Sequence, residues 1–393
     1  MTPIDLLSSD GSPVSGLFAL RQLVAAMRPA AVVEPSVLAP LQASPRKVIA
    51  YDHRGLERFD ALPGEDSKRE NPRRKLMIKR LIERGPERSL GAWPSDEMFE
   101  ALEALKISHP NFLEVTEYVI GEAVLAMELG RAICGLRLLF SGPPGIGKSD
   151  YAMALSQALG LPLRISSMSA ASSGFEISGV DEGWSSSRPG MVFEEIVEGP
   201  FANPIFLLDE IDKVSERNRD AVGGLYQLFE TNTARVFRDR SVPFVALDTS
   251  HVNWLLTANE IDEIEPALLS RFHHFEIALP SREQYAGLIQ RLYQQTAQGM
   301  GLAERFPAEL PAADVERLLD FSAREIKRVL RVVFLNAVTS KTDGLRFEEA
   351  VLKLAGNTER GAASGFQGGR SARRGSSTRA IGFIWPNDPE VAP

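Results

Sequence analysis

The sequence predicts an α/β domain, a parallel sheet covered by helices on both faces, followed by a small all-α domain. Three observations predict it. Short, almost continuous apolar runs, LRLLF (136–140), IFLLD (205–209) and VNWLLTAN (252–259), read as strands buried on both sides. They alternate with helical patterns at VTEYVIGEAVLAMELGRAI (115–133) and from Lys148 to about Leu159. After Pro280 the strand patterns stop. SREQYAGLIQRLYQQTA (281–297) opens with Ser281 as a cap and Glu283 in the first turn, 311–338 reads as two helices and FEEAVLKL (347–354) as a third.

Residues 1–100 form an N-terminal region that is partly helical, 101–280 the α/β domain, 281–356 the helical domain, and 357–393 a Gly-, Ser- and Arg-rich tail that reads as disordered. The first region holds apolar stretches such as LFALRQLVAAM (17–27), broken by prolines, and a basic stretch at 68–88 with nine Lys/Arg against three Glu. There Leu76, Ile78, Leu81 and Ile82 suggest one short amphipathic helix. Its charges are either a solvated face or a contact for a partner or nucleic acid. The apolar cluster Ile381, Phe383, Ile384 and Trp385 near the end is either a docking peptide or a strand that packs back on the body.

Composition narrows the class. Net charge is −8, which gives no general case for nucleic-acid binding. The one cysteine, Cys134, rules out an internal disulfide framework and fits a reducing compartment. The five histidines show no metal-ligand spacing; His273 and His274 are neighbours and would point apart on a strand. No signal peptide and no membrane span are evident, so a cytoplasmic protein is expected.

SGPPGIGKS (141–149) follows a predicted strand and opens a predicted helix. It satisfies the phosphate-loop pattern with Gly142, Gly147, Lys148 and Ser149, in the strand–loop–helix context that the pattern requires. Gly142, Pro143, Pro144, Gly145, Ile146 and Gly147 would bring backbone N–H groups to the phosphates of ATP. Lys148 would reach the β/γ-phosphates, the Ser149 hydroxyl would bind Mg²⁺, and Asp150 completes the segment at the helix start. IFLLDEID (205–212) supplies the other half: Asp209, at the carboxyl end of its strand, would hold Mg²⁺, and Glu210 would orient and deprotonate the attacking water. Glu210 therefore predicts hydrolysis and not binding alone. Asn259 ends its strand where an amide helps position that water. Arg271 and Arg324 are guanidinium groups suited to charge on a γ-phosphate, though taken singly each reads as an ordinary surface residue.

In this order, GPPGIGKS, FLLDEID, TAN, PALLSRF and SAREIKR resemble an AAA+ ATPase over roughly residues 110–355. NPIFLLDEIDKV, TANEIDEIEPALLSRF and the EISG…RPG segment are most similar to the ATPase module of Lon-type proteins. The resemblance implies a homo-oligomeric ring, usually a hexamer, with ATP at subunit interfaces. By position it makes Arg271 an arginine finger supplied to the neighbour, Arg324 sensor 2 and Asn259 sensor 1. It departs from Lon-type proteases after the helical lid, where no peptidase domain is expected in the remaining residues.

One aromatic is out of keeping with its surroundings. Trp184 sits in SGVDEGWSSSRPG (178–190), a polar and Gly-rich stretch that cannot bury it locally. Aligned on ISG and RPG, it falls where Lon-type modules carry the aromatic of a pore loop that grips a polymer. The other reading is that it packs on its own subunit. Asp181 and Glu182 make the loop acidic, which favours a polypeptide over a nucleic-acid backbone. The expected function is thus an ATP-hydrolysing motor that remodels a protein partner without proteolysis. A nucleic-acid motor or loader and a nucleotide-switched scaffold are the alternatives.

Overall fold

The computed structural model describes residues 46–52, 56, 72–169, 173–181, 184, 186–214, 225–340 and 345–347. The expectations for 17–27, for the tail from 357 and for the cluster at 381–385 lie outside these residues, as does the third lid helix beyond Phe347.

The chain begins with β1 (Lys47–Ile49), α1 (Pro72–Arg84) and β2 (Glu87–Ser89), then α2 (Asp96–Ser108) and α3 (Leu113–Glu128). Next come β3 (Arg137–Ser141), α4 (Lys148–Leu159), β4 (Leu163–Ser167), α5 (Ser173–Ser178), α6 (Met191–Glu198) and β5 (Ile205–Asp209). Then follow α7 (Thr231–Ala234), β6 (Asn253–Ala258), α8 (Pro266–Leu269) and β7 (His273–Glu276). The last elements are α9 (Arg282–Gly299), α10 (Ala312–Leu318) and α11 (Ala323–Thr339).

Five strands form one all-parallel sheet in the order β4-β5-β6-β3-β7. The three apolar runs of the sequence are its central strands, with every residue of β6 buried and β5 buried up to Asp209. Stacked Phe206 and Trp254, 5.1 Å between ring centroids, help fill one face, with Phe229 edge-on to the same indole. β1 and β2 pair antiparallel as a separate small sheet.

Two sequence expectations shift in detail. The helix expected over 115–133 stops at Glu128. Gly130 takes a left-handed backbone (φ 57°), and the N–H groups of Gly130 and Arg131 return to the carbonyls of Met127 and Ala126. This pairing closes the helix although the apolar pattern runs on. In the basic stretch the helix is α1, but only Ile78 and Leu81 are buried; Leu76 and Ile82 are exposed. Much of that stretch's charge is used internally. Arg80 and Arg84 both pair with Glu198, and buried Arg88 donates to the carbonyls of Ile196, Val197, Gly85 and Glu87.

Two buried amides tie the N-terminal segment to the sheet domain. Asn203 accepts from the Gly91 N–H (2.8 Å) and donates to the carbonyls of Gly91 (3.0 Å) and Ile133 (2.8 Å). Asn253 accepts from the Leu136 N–H (3.0 Å) and donates to the Asn203 carbonyl (2.9 Å).

The chain divides into two compact units: the described residues of Met1–Gly142 with Lys148–Ile277, and Pro143–Gly147 with the described residues of Ala278–Pro393. The second is helical. Capping boxes Ser281/Gln284 and Ser322/Glu325 start α9 and α11. Its core packs Tyr285, Ile289, Tyr293, Leu330, Val333 and Phe334.

Candidate nucleotide site

Parallel strands in register end together, and their carboxyl ends are where ligands bind in open α/β sheets. Here β5 pairs with β6 and β6 with β3, which brings Asp209, Thr257, Ala258 and Ser141 to one edge. The phosphate loop leaves that edge from Gly142, whose N–H donates to the Ala258 carbonyl (3.2 Å). It leads into α4, which opens with Lys148 and Ser149.

The side chains then interlock. Ser149 Oγ lies 3.0 and 3.1 Å from the two oxygens of Asp209. Thr257 Oγ1 donates to Asp209 and accepts the Glu210 N–H at 3.0 Å. Lys148 Nζ donates to the Gly142 carbonyl (2.6 Å) and to Asn259 Oδ1 (2.9 Å). Lys148 is buried, and burial pulls its ammonium pKa down while Asp209, Asp212 and Glu210 pull it back up. Glu210 holds a left-handed backbone (φ 59°, ψ 50°), uncommon for a residue with a side chain. Such conformations persist where surrounding structure enforces them, and here its N–H is fixed by Thr257.

Sequence reasoning missed Thr257. It stands in the TAN run, but its bond to Asp209 depends on the register of two strands 48 residues apart in sequence. It missed also His109, whose Nε2 lies 3.3 Å from Asp150 on α4.

The donor set suits Mg²⁺. Ser149 Oγ and the Asp209 carboxylate are hard oxygen donors in mutual contact, and Mg²⁺ keeps several waters beside one or two such protein ligands.

Residues 138–279 match the family described as "ATPase family associated with various cellular activities (AAA)". The chain carries an AAA ATPase domain. This AAA segment is related to the ATPase region of Lon proteases. The chain is 31% identical over 185 residues to "Lon protease homolog 2, peroxisomal" of Caenorhabditis elegans, covering 46% of this chain and 23% of that protein. It is 29% identical over 258 residues to "Lon protease" of Roseiflexus castenholzii, covering 63% of this chain and 31% of the relative. For "Lon protease" of Dictyoglomus thermophilum the figures are 30% over 237 residues, 59% and 28%. The matches thus span less than a third of each relative's length. An AAA ATPase binds nucleotide, and the Lys148–Ser149–Asp209–Asn259 cluster lies within the matched segment.

Arg271 and Arg324 each have surroundings of their own. Arg271 follows α8; its Nε pairs with Glu230 (3.2 Å), its guanidinium lies 5.4 Å from the Tyr226 ring centroid, and Nη1 donates to the Ala267 carbonyl. Arg324 is exposed in the first turn of α11, in the second unit. Trp184 lies between α5 and α6 and is 67% exposed, so it does not pack on the body. Asp181 is paired with Arg240, which cancels part of the acidity expected of that loop; Glu182 lies outside the described residues.

No helix among the described residues is long and apolar enough to cross a membrane.

Proposed function

We propose that the chain is an ATP-driven motor that assembles as a homo-oligomeric ring, with a hexamer as the expected size. It remodels or translocates a polypeptide partner and does not cut it. The proposal is confined to ATP-driven movement because the relatives match over their ATPase region. A cytoplasmic location goes with this reading.

The observation that carries it is the interlocked strand-end cluster of Lys148, Ser149, Asp209, Thr257 and Asn259. In the proposed cycle Lys148 gives up the Gly142 carbonyl and Asn259 and turns its ammonium to the β/γ-phosphate oxygens. The freed Asn259 amide and Glu210 then orient a water in line with the γ-phosphorus, and Glu210 takes its proton. Gly142, Pro143, Pro144, Gly145, Ile146, Gly147 and Asp150 line the phosphate loop and its helix start in this reading. Ser149 and Asp209 would hold Mg²⁺, which neutralises charge on the phosphates. Arg271 serves the neighbouring subunit's ATP, and Arg324 contacts nucleotide from the helical lid.

Exposed Trp184 supports the choice of a polypeptide. A large aromatic grips many sequences with few rotors to immobilise. A nucleic-acid partner is the second reading. It is favoured by Arg324, Lys327, Arg328 and Arg331, which form one exposed face of α11 and make no ion pair with any described residue. The test is ATP turnover with and without a permanently unfolded chain (reduced, carboxymethylated lactalbumin) or single-stranded DNA. Wild type and Trp184→Ala are compared. Stimulation by the unfolded chain that Trp184→Ala removes is expected. Stimulation by DNA alone would replace the first reading with the second, and no stimulation by either would favour a nucleotide-switched scaffold.

A further inference from the structure

The segment that carries Trp184 leaves and re-enters the body at two glycines, and both meet one buried carboxylate. Asp239 lies between α7 and β6 and is fully buried. Its Oδ2 accepts the Gly190 N–H at 2.8 Å and its Oδ1 the Ser241 N–H at 2.8 Å. Gly179 (φ 85°) comes so close that a Cβ there would strike both carboxylate oxygens. A Cβ on Gly190 would strike the Ile177 carbonyl and the Gly179 nitrogen.

Arg240 adds a second tie. Its N–H donates to the Ser178 carbonyl (2.9 Å), and its guanidinium donates to both Asp181 oxygens (3.1 and 2.6 Å). It also lies 5.2 Å from the Phe175 ring centroid. The stem is closed by the Val180 N–H to the Arg188 carbonyl and by Ser187 Oγ to the Val180 carbonyl, both 3.0 Å. Beyond these ties the Trp184 indole stands in solvent.

An indole left to itself gains by lying down on an apolar surface. A stem tied on both sides opposes that collapse. The ties come from one place, the connection that leaves β5 at Asp209 and enters β6 at Asn253. We infer that Asp239 and Arg240 are positioning residues for Trp184: they clamp the base of its loop to the connection between the two strands of the nucleotide site. The inference rests on the reading of Trp184 as the polypeptide contact.

The test uses the 393-residue chain, hydrogen exchange over 178–190, and the ratio of turnover with and without carboxymethylated lactalbumin. Arg240→Ala removes a partly exposed bidentate pair, so exchange at Val180 and Ser187 is expected to speed up about fivefold. Exchange in β6 stays unchanged and the stimulation ratio falls. The double variant Asp181→Arg with Arg240→Asp, which reverses the pair, restores slow exchange and the ratio. Asp239→Asn gives the larger acceleration; if it fails to fold, the Arg240 pair of variants still decides. Unchanged exchange in Arg240→Ala, or acceleration that the reversal does not repair, overturns the clamp. Faster exchange with an unaltered ratio supports the clamp and overturns the gripping role of Trp184. If lactalbumin stimulates nothing, that gripping role also fails, and exchange alone decides the clamp.

Discussion

The strand-end cluster of the candidate nucleotide site and the Trp184 loop lie on the same unit and are built in opposite ways. The site is held by main-chain register: parallel pairing fixes where Asp209, Thr257 and Ser141 end up, and short side chains close the gaps. The loop is held by side chains from a distant stretch, Asp239 and Arg240, and its tip touches little. Chemistry that depends on tenths of an ångström is carried by strand ends. The exposed Trp184 is carried by a loop whose base is tethered by two residues, Asp239 and Arg240.

The largest expected effects break the site and spare the loop. Lys148→Ala is expected to abolish nucleotide binding, measured by titration with a fluorescent ATP analogue, with slow exchange over 178–190 retained. Under its proposed role, Arg271→Ala lowers turnover by about 10³-fold or more. Mixing it with Glu210→Gln subunits is expected to restore part of the activity, and a mixture as inactive as its parts would argue against a finger acting between subunits. Glu210→Gln should keep ATP bound and slow turnover about 10²- to 10⁴-fold in single-turnover assays. Thr257→Val leaves the Glu210 N–H without its acceptor and costs about 1–3 kcal/mol in denaturant stability. Turnover should fall with it, since Asp209 loses a donor.

The smallest effect sharpens the loop side. Burial pushes the Asp239 carboxyl up to about 6, against the hydrogen bonds from Gly190, Ser241 and Val242 that favour its anion. A raised folded-state value means that the folded chain holds this proton more tightly than the unfolded chain. The resulting stabilisation is greatest below about pH 4 and is lost as pH rises to about 6, then constant. This is the reverse of a salt-bridged aspartate. A denaturant midpoint that falls between these pH values in wild type, and stays flatter in Asp239→Asn, is the expected result.

Much of the candidate site is legible in the sequence. GPPGIGKS and FLLDEID name their residues by type and spacing, and apolar runs announce the buried strands that carry them. Thr257 was not legible, because a threonine at a strand end gains its meaning only from which strand lies alongside. The clamp was not legible either. FRDRS (237–241) has no pattern of its own, and nothing local links Asp239 to Gly190, 49 residues away. The end of α3 is not legible for a related reason: apolar periodicity continues past Gly130, while the backbone turns there. Leu76 and Ile82 fit an amphipathic pattern yet face solvent, since the core contacts only the side of α1 that bears Ile78 and Leu81.

The two buried asparagines bear on how the chain can be dissected. Asn203 finds three of its partners in Gly91 and Ile133, and Asn253 holds Asn203 in turn. A truncation that begins near residue 110, where the strand–helix texture starts, removes Gly91 and strands an amide in the interior. Shortened versions that start ahead of β1 should therefore be soluble and cooperative where those starting after α2 are not, although every residue of the phosphate loop is present in both.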